Sequence, residues 1–216
     1  MLTDVYTSLQ LLLRWIHVFA GIIWVGHLYF FNFVNVPFQA VLSADMKKVV
    51  NPQLLGRAFW WFRWTAMVTF IAGFLLFTML YMYTPGVGFG PSDLWRTADG
   101  MTGRAMWISL GMLLGFGMWA NVWFVIWPAQ KKILTAVRDG QPVDPALPKR
   151  ALKVSRANAY LSGPMLFGML APNHFGGFDI VSAIVAIALG LVAIWWAIGQ
   201  SSSAGTDIAT PPSAKT

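Results

Sequence analysis

Long apolar runs are the feature that most constrains this chain, because they recur along nearly its whole length. Of its 216 residues, 57% are hydrophobic and only 11% are charged, whereas soluble domains carry about 25% charged residues. A helix of roughly 20 apolar residues is long enough to cross a bilayer. Lipid offers the backbone no hydrogen bonds, so each crossing segment is expected to be a helix. The sequence therefore predicts an all-α fold, a polytopic membrane helix bundle.

About five transmembrane helices are expected. They are predicted at Leu11–Val34, Phe59–Tyr83, Ala105–Trp127, Asn158–Ala171 and Ile180–Ile198. The fourth segment is short and contains Pro164, and it is predicted to extend backwards as a helix from Lys149. The chain is thus divided into a membrane bundle over residues 1–200 and a tail over residues 201–216. The tail is rich in Ser, Thr, Ala and Pro and is predicted to be disordered.

The basic residues between the predicted spans set the expected orientation. Loops 38–58 and 129–156 and the tail hold most of the lysine and arginine, whereas loop 172–179 has none. With five spans, all the basic segments fall on one side. The positive-inside rule then predicts an N-terminus outside and a C-terminus in the cytoplasm. Topology and anionic lipid also explain the net charge of +7, so the expected partner is a lipid bilayer and no nucleic acid is expected.

The absence of cysteine narrows the possible chemistry. It excludes disulfides, thiolate metal sites and covalently attached c-type haem. The sequence also contains no phosphate-binding loop, zinc protease motif or nucleophile elbow. Soluble hydrolytic or nucleotide chemistry therefore has no support.

One face of the first predicted span carries polar and small residues. At 100° per residue, Arg14, His17, Gly21 and Trp24 lie on the same side. A histidine with a glycine one turn away is suited to haem, because the imidazole reaches the iron and the missing side chain leaves room for the porphyrin. Arg14 is placed to pair with a propionate. The alternative is that His17 hydrogen-bonds another helix while Gly21 permits close packing.

His174 lies in the predicted turn after the fourth span, in the same half of the membrane as His17. The two histidines are therefore candidates for a bis-imidazole haem iron site. The alternative is an exposed loop histidine. Met165 and Met169, one turn apart on the fourth helix, offer a sulfur ligand instead, although such pairs are more often simple packing.

His27 and Arg63 are further candidate binding residues. His27 is ten residues beyond His17 and so about 15 Å deeper, which excludes a shared iron. It is a candidate for a second haem or a quinone, and the alternative is a hydrogen bond to another helix. Arg63 lies near the inner end of the second span. It would either snorkel to the headgroups or bind an anionic ligand or propionate.

Four segments support a family assignment. They are Arg14–Val34, Trp60–Trp64, Asn121–Lys132, and Leu161–Met165 with the later His174 and Phe175. In this order, over roughly residues 10–177, they resemble the membrane N-terminal domain of bacterial cytochrome-linked (PuuD-like) urate oxidases. The first helix is more distantly similar to HemJ-type protoporphyrinogen oxidases, which have a haem-linked histidine in a comparable place.

The resemblance implies a redox protein of the bacterial cytoplasmic (inner) membrane that passes electrons to a cytochrome c. Since the sequence has no cysteine, a c-type haem is expected on another protein. Three functions follow as alternatives. The chain is a haem b membrane electron-transfer subunit or redox protein, or an oxidase of urate or a similar small anion. Otherwise it is a cofactor-free anchoring or assembly subunit of a respiratory complex.

Overall fold

Four long apolar helical segments dominate the structure, a computed structural model that describes residues 4–175 and 177–209. They are Val5–Val41, Ala44–Tyr81, Gly103–Arg138 and Ile180–Ile208. Each is long and apolar enough to cross a bilayer. The predicted all-α fold is confirmed, and the four long apolar segments indicate a multi-pass membrane protein.

Two of these long segments are helices interrupted by a π-helical stretch. The first consists of α1 (Val5–Tyr29), a π stretch (Phe30–Asn35) and α2 (Val36–Val41), and it is followed by α3 (Ala44–Tyr81). The third consists of α4 (Gly103–Asn121), a π stretch (Val122–Ile126) and α5 (Trp127–Arg138). The remaining helices are α6 (Ala146–His174), α7 (Ile180–Ser201) and α8 (Thr206–Ala209). Between α3 and α4, two short antiparallel pairs form: β1 (Tyr83–Thr84) with β2 (Gly88–Phe89), and β3 (Arg96–Thr97) with β4 (Gly100–Met101).

The fourth predicted span corresponds to α6, which is longer than the predicted apolar segment. The helix begins at Ala146, so the predicted extension from Lys149 is confirmed, and it continues through Pro164 and Pro172 to His174. Its polar residues make α6 less apolar than the four long segments. The crossing of the membrane by α6, and the orientation with the N-terminus outside, stay predictions.

The long helices form two antiparallel hairpins. In the first, the Tyr6 hydroxyl at the start of α1 donates a hydrogen bond to the Met79 carbonyl near the end of α3. In the second, Arg104 at the start of α4 donates to the Asn173 side chain near the end of α6. We call this end of the bundle, where α1 and α4 begin and α3 and α6 end, the upper end. The opposite end is the lower end, and the predicted topology places the upper end outside.

Glycines allow α6 to pack backbone to backbone against both of its neighbours. A Cβ atom added to Gly111 of α4 would lie 2.9 Å from the carbonyl carbon of Gly168. A Cβ atom added to Gly163 would lie 2.6 Å from the carbonyl oxygen of Gly190 in α7. Membrane helices commonly use such small residues for close approach, because lipid provides no hydrophobic force between helices.

Two apolar clusters hold the helices together at different levels. The larger one joins both hairpins and includes the buried side chains of Leu28, Phe62 and Met118. The smaller one surrounds Trp107 and joins α4, α6 and α7, and among the described residues it includes none from α1 or α3. The α1–α3 hairpin therefore shares its core with the rest of the bundle through the larger cluster and not through the Trp107 cluster.

Buried polar side chains connect α6 to both π-interrupted segments. The Asn32 amide in the first π stretch donates to the hydroxyl of Ser155, with 2.9 Å between the atoms. The Asn121 amide before the second π stretch donates to the Asn158 side chain at 2.8 Å, and Asn158 donates to the Met118 carbonyl at 2.9 Å. These bonds satisfy amide N–H groups that would be costly to leave unpaired in lipid, whereas the buried amide oxygen of Asn32 has no partner among the described residues.

The outward face of α7 indicates contact with the lipid bilayer. It exposes aliphatic and aromatic side chains along its length: Ile180, Val181, Ile184, Val185, Leu189, Val192, Trp195 and Trp196. A continuous apolar surface of this kind marks a membrane or protein contact. Residues 201–209 continue as the end of α7, a turn and α8. Residues 210–216 of the predicted disordered tail lie outside the described residues, and disorder of 201–216 stays a prediction.

Candidate functional site

His17 lies between α1 and α3 with its ring fixed from two sides. Its Nδ1 atom donates a hydrogen bond to the Thr69 carbonyl oxygen at 2.8 Å. A Cβ atom added to Gly73 would lie 2.7 Å from Cε1 of the imidazole and 2.8 Å from Nδ1. The ring therefore rests against bare backbone, where no other residue type fits without a shift of the ring.

The bond to Thr69 determines the chemistry of the imidazole. A carbonyl oxygen only accepts, so Nδ1 carries the proton, and the neutral ring has its lone pair on Nε2. Among the described residues, Nε2 of His17 has no hydrogen-bond partner. Histidines that ligate metals usually donate their other ring N–H to a carbonyl or carboxylate, which orients the ring. The bond to α3 is the interhelical hydrogen bond that the sequence analysis gave as the alternative for His17. With Nε2 unpaired among the described residues, the ring also has the hydrogen-bonding pattern of a metal-ligating histidine.

Gly21 and Trp24 both face the interior of the bundle. A Cβ atom added to Gly21 would lie 3.8 Å from the Thr69 methyl carbon, an ordinary contact, so Gly21 packs towards α3. Trp24 is 4% exposed, and its Nε1 has no partner in the described part of the chain. The glycine that touches the imidazole is Gly73, which our sequence reasoning missed. The small-residue spacing Thr69-x-x-x-Gly73 was the available signal for it.

Arg14 and Arg104 bring positive charge to the upper end. Tyr81, at the end of α3 and at the same end of the bundle, is 4% exposed. Arg104 donates to Asn173. Within residues 4–175 and 177–209, neither arginine pairs with a carboxylate. Such an arrangement favours an anionic group, and Arg104 was not among the residues that the sequence singled out.

His174 is the last residue of α6 and is exposed, so it lies in the helix and not in the turn that follows. The bonds from Tyr29 to Ser162 and from Asn32 to Ser155 define the antiparallel register of α1 and α6. Continued upwards, this register places His174 at the height of about residues 13–17 of α1. No hydrogen bond or ring contact between His17 and His174 is found among the described residues.

The two candidate sulfur ligands on α6 pack against α4. A Cβ atom added to Gly115 would lie 3.6 Å from the Met169 methyl carbon and 3.7 Å from Cγ of Met165. Met165 also belongs to the larger apolar cluster. This geometry agrees with a packing role for the pair.

Among the described residues, His27 makes no hydrogen bond to another helix. Its Nδ1 atom donates to the Ile23 carbonyl of its own helix at 2.7 Å. Its ring lines a groove between α1 and α3, together with Arg57 and Trp61. The spacing of ten residues keeps it about 15 Å from His17 along α1, so the two histidines belong to different sites.

Arg63 stacks on aromatic rings. Its guanidinium carbon lies 3.9 Å from the centre of the Trp127 ring and 5.6 Å from that of Trp64. Its Nε is buried and has no hydrogen-bond partner among the described residues. The contact with Trp127 is a cation–π interaction that links α3 to α5.

Comparison with known protein families shows which family the chain belongs to. The model of the urate oxidase N-terminal domain matches residues 92–200, which is half of the chain. The match contains α4 to α7 and His174, whereas α1 with His17 and Arg14 lies before it. Curated proteins give no match, and neither do solved structures. The chain belongs to the urate oxidase N-terminal family.

Proposed function

We propose that this protein binds haem b and acts as a membrane electron-transfer subunit or redox protein that passes electrons toward a cytochrome c. The observation that carries the proposal is the His17 imidazole, held by Thr69 through Nδ1 and by contact with Gly73. Through its Nε2 lone pair, His17 would hold the haem iron. The haem would supply reversible one-electron transfer, and the protein supplies the ligand, its orientation and its electrostatic surroundings.

Two further features support this proposal. Arg14 lies one turn above His17 and pairs with no carboxylate in the described residues, so it is available to a propionate. Among the described residues, the Trp107 cluster contains none from α1 or α3, so His17 lies outside that apolar core. Family membership adds a link to urate oxidases.

An absorption spectrum tests the proposal directly. The protein is produced with haem supplied, purified in detergent, and measured as a reduced-minus-oxidised difference spectrum. We expect a b-type spectrum in the wild-type protein, and its loss in His17→Ala. His27→Ala is the matched control, because His27 is a half-buried histidine of the same helix and should leave the spectrum unchanged. A wild-type protein without a chromophore, or His17→Ala with an intact one, would support a cofactor-free anchoring role.

A second candidate function is oxidation of urate or a similar small anion, with a separate cytochrome c as acceptor. The two arginines at the upper end, Arg14 and Arg104, favour it, because neither pairs with a carboxylate in the part of the chain that the structure describes. The test is urate-dependent reduction of added cytochrome c. Arg104→Gln is expected to raise the KM for urate, whereas Arg96→Gln, in the exposed β3 strand, should not. Absence of turnover would exclude this candidate.

A further inference from the structure

A groove on the surface of the first hairpin lies between α1 and α3, in the lower half of the bundle. It has a volume of about 570 Å³, within the range of about 300–1,000 Å³ found for small-molecule sites. Most of its wall is apolar, and two polar side chains line it, His27 and Arg57. The remaining walls come from Ile22, Ile23, Gly26, Phe30, Leu54, Ala58 and Trp61. The groove is therefore an apolar slot with two polar groups.

The two polar groups have opposite hydrogen-bonding roles. Because Nδ1 of His27 donates to the Ile23 carbonyl at 2.7 Å, the neutral ring presents an acceptor at Nε2. Arg57 has only donors. One of its terminal nitrogens donates to the carbonyl and the side chain of Gln53, at 2.7 and 3.1 Å, and the guanidinium has further N–H groups. The groove thus offers one acceptor and one cationic donor.

The position of the groove suits a ligand that arrives through the membrane. Trp61 is 50% exposed and its neighbour Trp60 is 48% exposed, and tryptophans of this kind occupy the membrane–water interface. Arg57 lies one turn below Trp61 on α3, towards the charged start of that helix, and Ile22 lies farther up in the apolar part of α1. A polar ring bound between His27 and Arg57 would therefore have its hydrocarbon tail in lipid.

We propose that this groove binds the head ring of a membrane quinol. One quinol hydroxyl donates to Nε2 of His27, and Arg57 donates to the oxygen on the opposite side of the ring, while Trp61 and the aliphatic walls contact its faces. An anionic phospholipid fits less well, because a phosphate only accepts hydrogen bonds and would face the His27 lone pair. Quinols are electron donors, so a role for the bound quinol in electron transfer rests on the proposed function. The binding of the quinol does not rest on it.

Binding is measured without any electron transfer. The purified protein, prepared without haem, is placed in phosphatidylcholine nanodiscs and titrated under argon with decylubiquinol and, separately, with decylubiquinone. The wild-type protein is expected to bind the quinol more tightly, because the quinone has no hydroxyl to donate to His27. One hydrogen bond of this kind corresponds to a preference of about 3- to 10-fold.

Two variants and two matched controls locate the site. His27→Phe keeps a planar ring but lacks the acceptor, and it is expected to lose the quinol preference. Arg57→Gln is expected to weaken both ligands by about 3- to 10-fold. The controls are His174→Phe and Arg96→Gln, which replace an exposed histidine and an exposed arginine elsewhere, and neither should change binding. Equal binding of quinol and quinone by the wild type, or unchanged binding in His27→Phe, would overturn the proposal.

A second set of titrations tests whether the groove binds a quinol or an anionic phospholipid. The titration is repeated in nanodiscs that contain phosphatidylglycerol. Unchanged quinol affinity supports the proposal, whereas loss of quinol binding in the wild type would show that the lipid occupies the groove, and would overturn it. The haem spectrum and this titration are independent readouts. A missing chromophore therefore leaves the quinol site standing, and missing quinol binding leaves the haem proposal standing.

Discussion

Replacement of Gly73 by alanine tests how His17 is held. The new Cβ atom would lie 2.7 Å from Cε1 and 2.8 Å from Nδ1 of the imidazole, distances that real Cβ contacts essentially never show. Either the ring turns away, which breaks its bond to Thr69, or α1 and α3 move apart. Both responses disturb the His17 position without changing His17 itself.

The expected cost follows from three contributions. Overpacking of a well-packed contact costs about 1–3 kcal/mol, and loss of the bond from Nδ1 to Thr69 costs about 0.5–1.5 kcal/mol. Alanine recovers about 1 kcal/mol, because glycine is the poorer helix former. We therefore expect Gly73→Ala to lower the free energy of unfolding by about 1–3 kcal/mol. Gly117→Ala is the matched control, since a Cβ atom there meets nothing within 4 Å.

Thermal unfolding of the purified variants measures this cost, and the haem spectrum gives a second readout. A double-mutant cycle makes the test specific, because Gly73→Ala should cost much less when His17 is already alanine. If haem binds to His17, Gly73→Ala should also weaken the spectrum, whereas Gly117→Ala should not. Equal stability of Gly73→Ala and Gly117→Ala, or strict additivity with His17→Ala, would refute the described contact.

Three further outcomes are expected from other contacts. Asn158→Leu should lower the free energy of unfolding by about 1–2 kcal/mol, because it leaves the Asn121 amide without its partner. Replacing both residues by Leu should restore part of that stability, as measured by thermal unfolding. Gly190→Ala should lower the free energy of unfolding by about 1–2 kcal/mol, since its Cβ would lie 2.6 Å from Pro164 and the overpacking outweighs the gain in helix propensity, while Gly199→Ala, whose Cβ meets nothing within 4 Å, should not lower it. At the start of α7, hydrogen bonds from the Ser182 hydroxyl and then its N–H hold the pKa of Asp179 below its usual range. That stabilisation is complete above about pH 3.9, the ordinary pKa of an aspartate, and is lost as the pH falls through the lower folded pKa, so an acid titration of unfolding should show it in the wild type and not in Asp179→Ala.

The helical segments could be predicted because their signal is local. Apolar runs of bilayer length identify α1, α3, α4 and α7, and the extension of α6 to the Lys149 region follows from its sequence and is confirmed. The predicted positions of the helix ends were less accurate. α6 passes through Pro172 to His174, although proline and a short turn signal predicted an earlier end. Membrane helices tolerate proline because neighbouring helices and side chains can satisfy the backbone groups that it leaves free.

The sequence by itself determined that this chain forms long membrane helices and that His17, Arg14 and Trp24 share one side of the first of them, since composition and a period of 3.6 residues are properties of a single segment. Only the tertiary structure decided which atoms these residues meet. Thr69 and Gly73 fix the His17 ring, and Arg63 stacks on Trp127 of another helix. The physical reason is that the register and rotation of one helix against another depend on side-chain fit along both, and no periodicity within one helix contains that information.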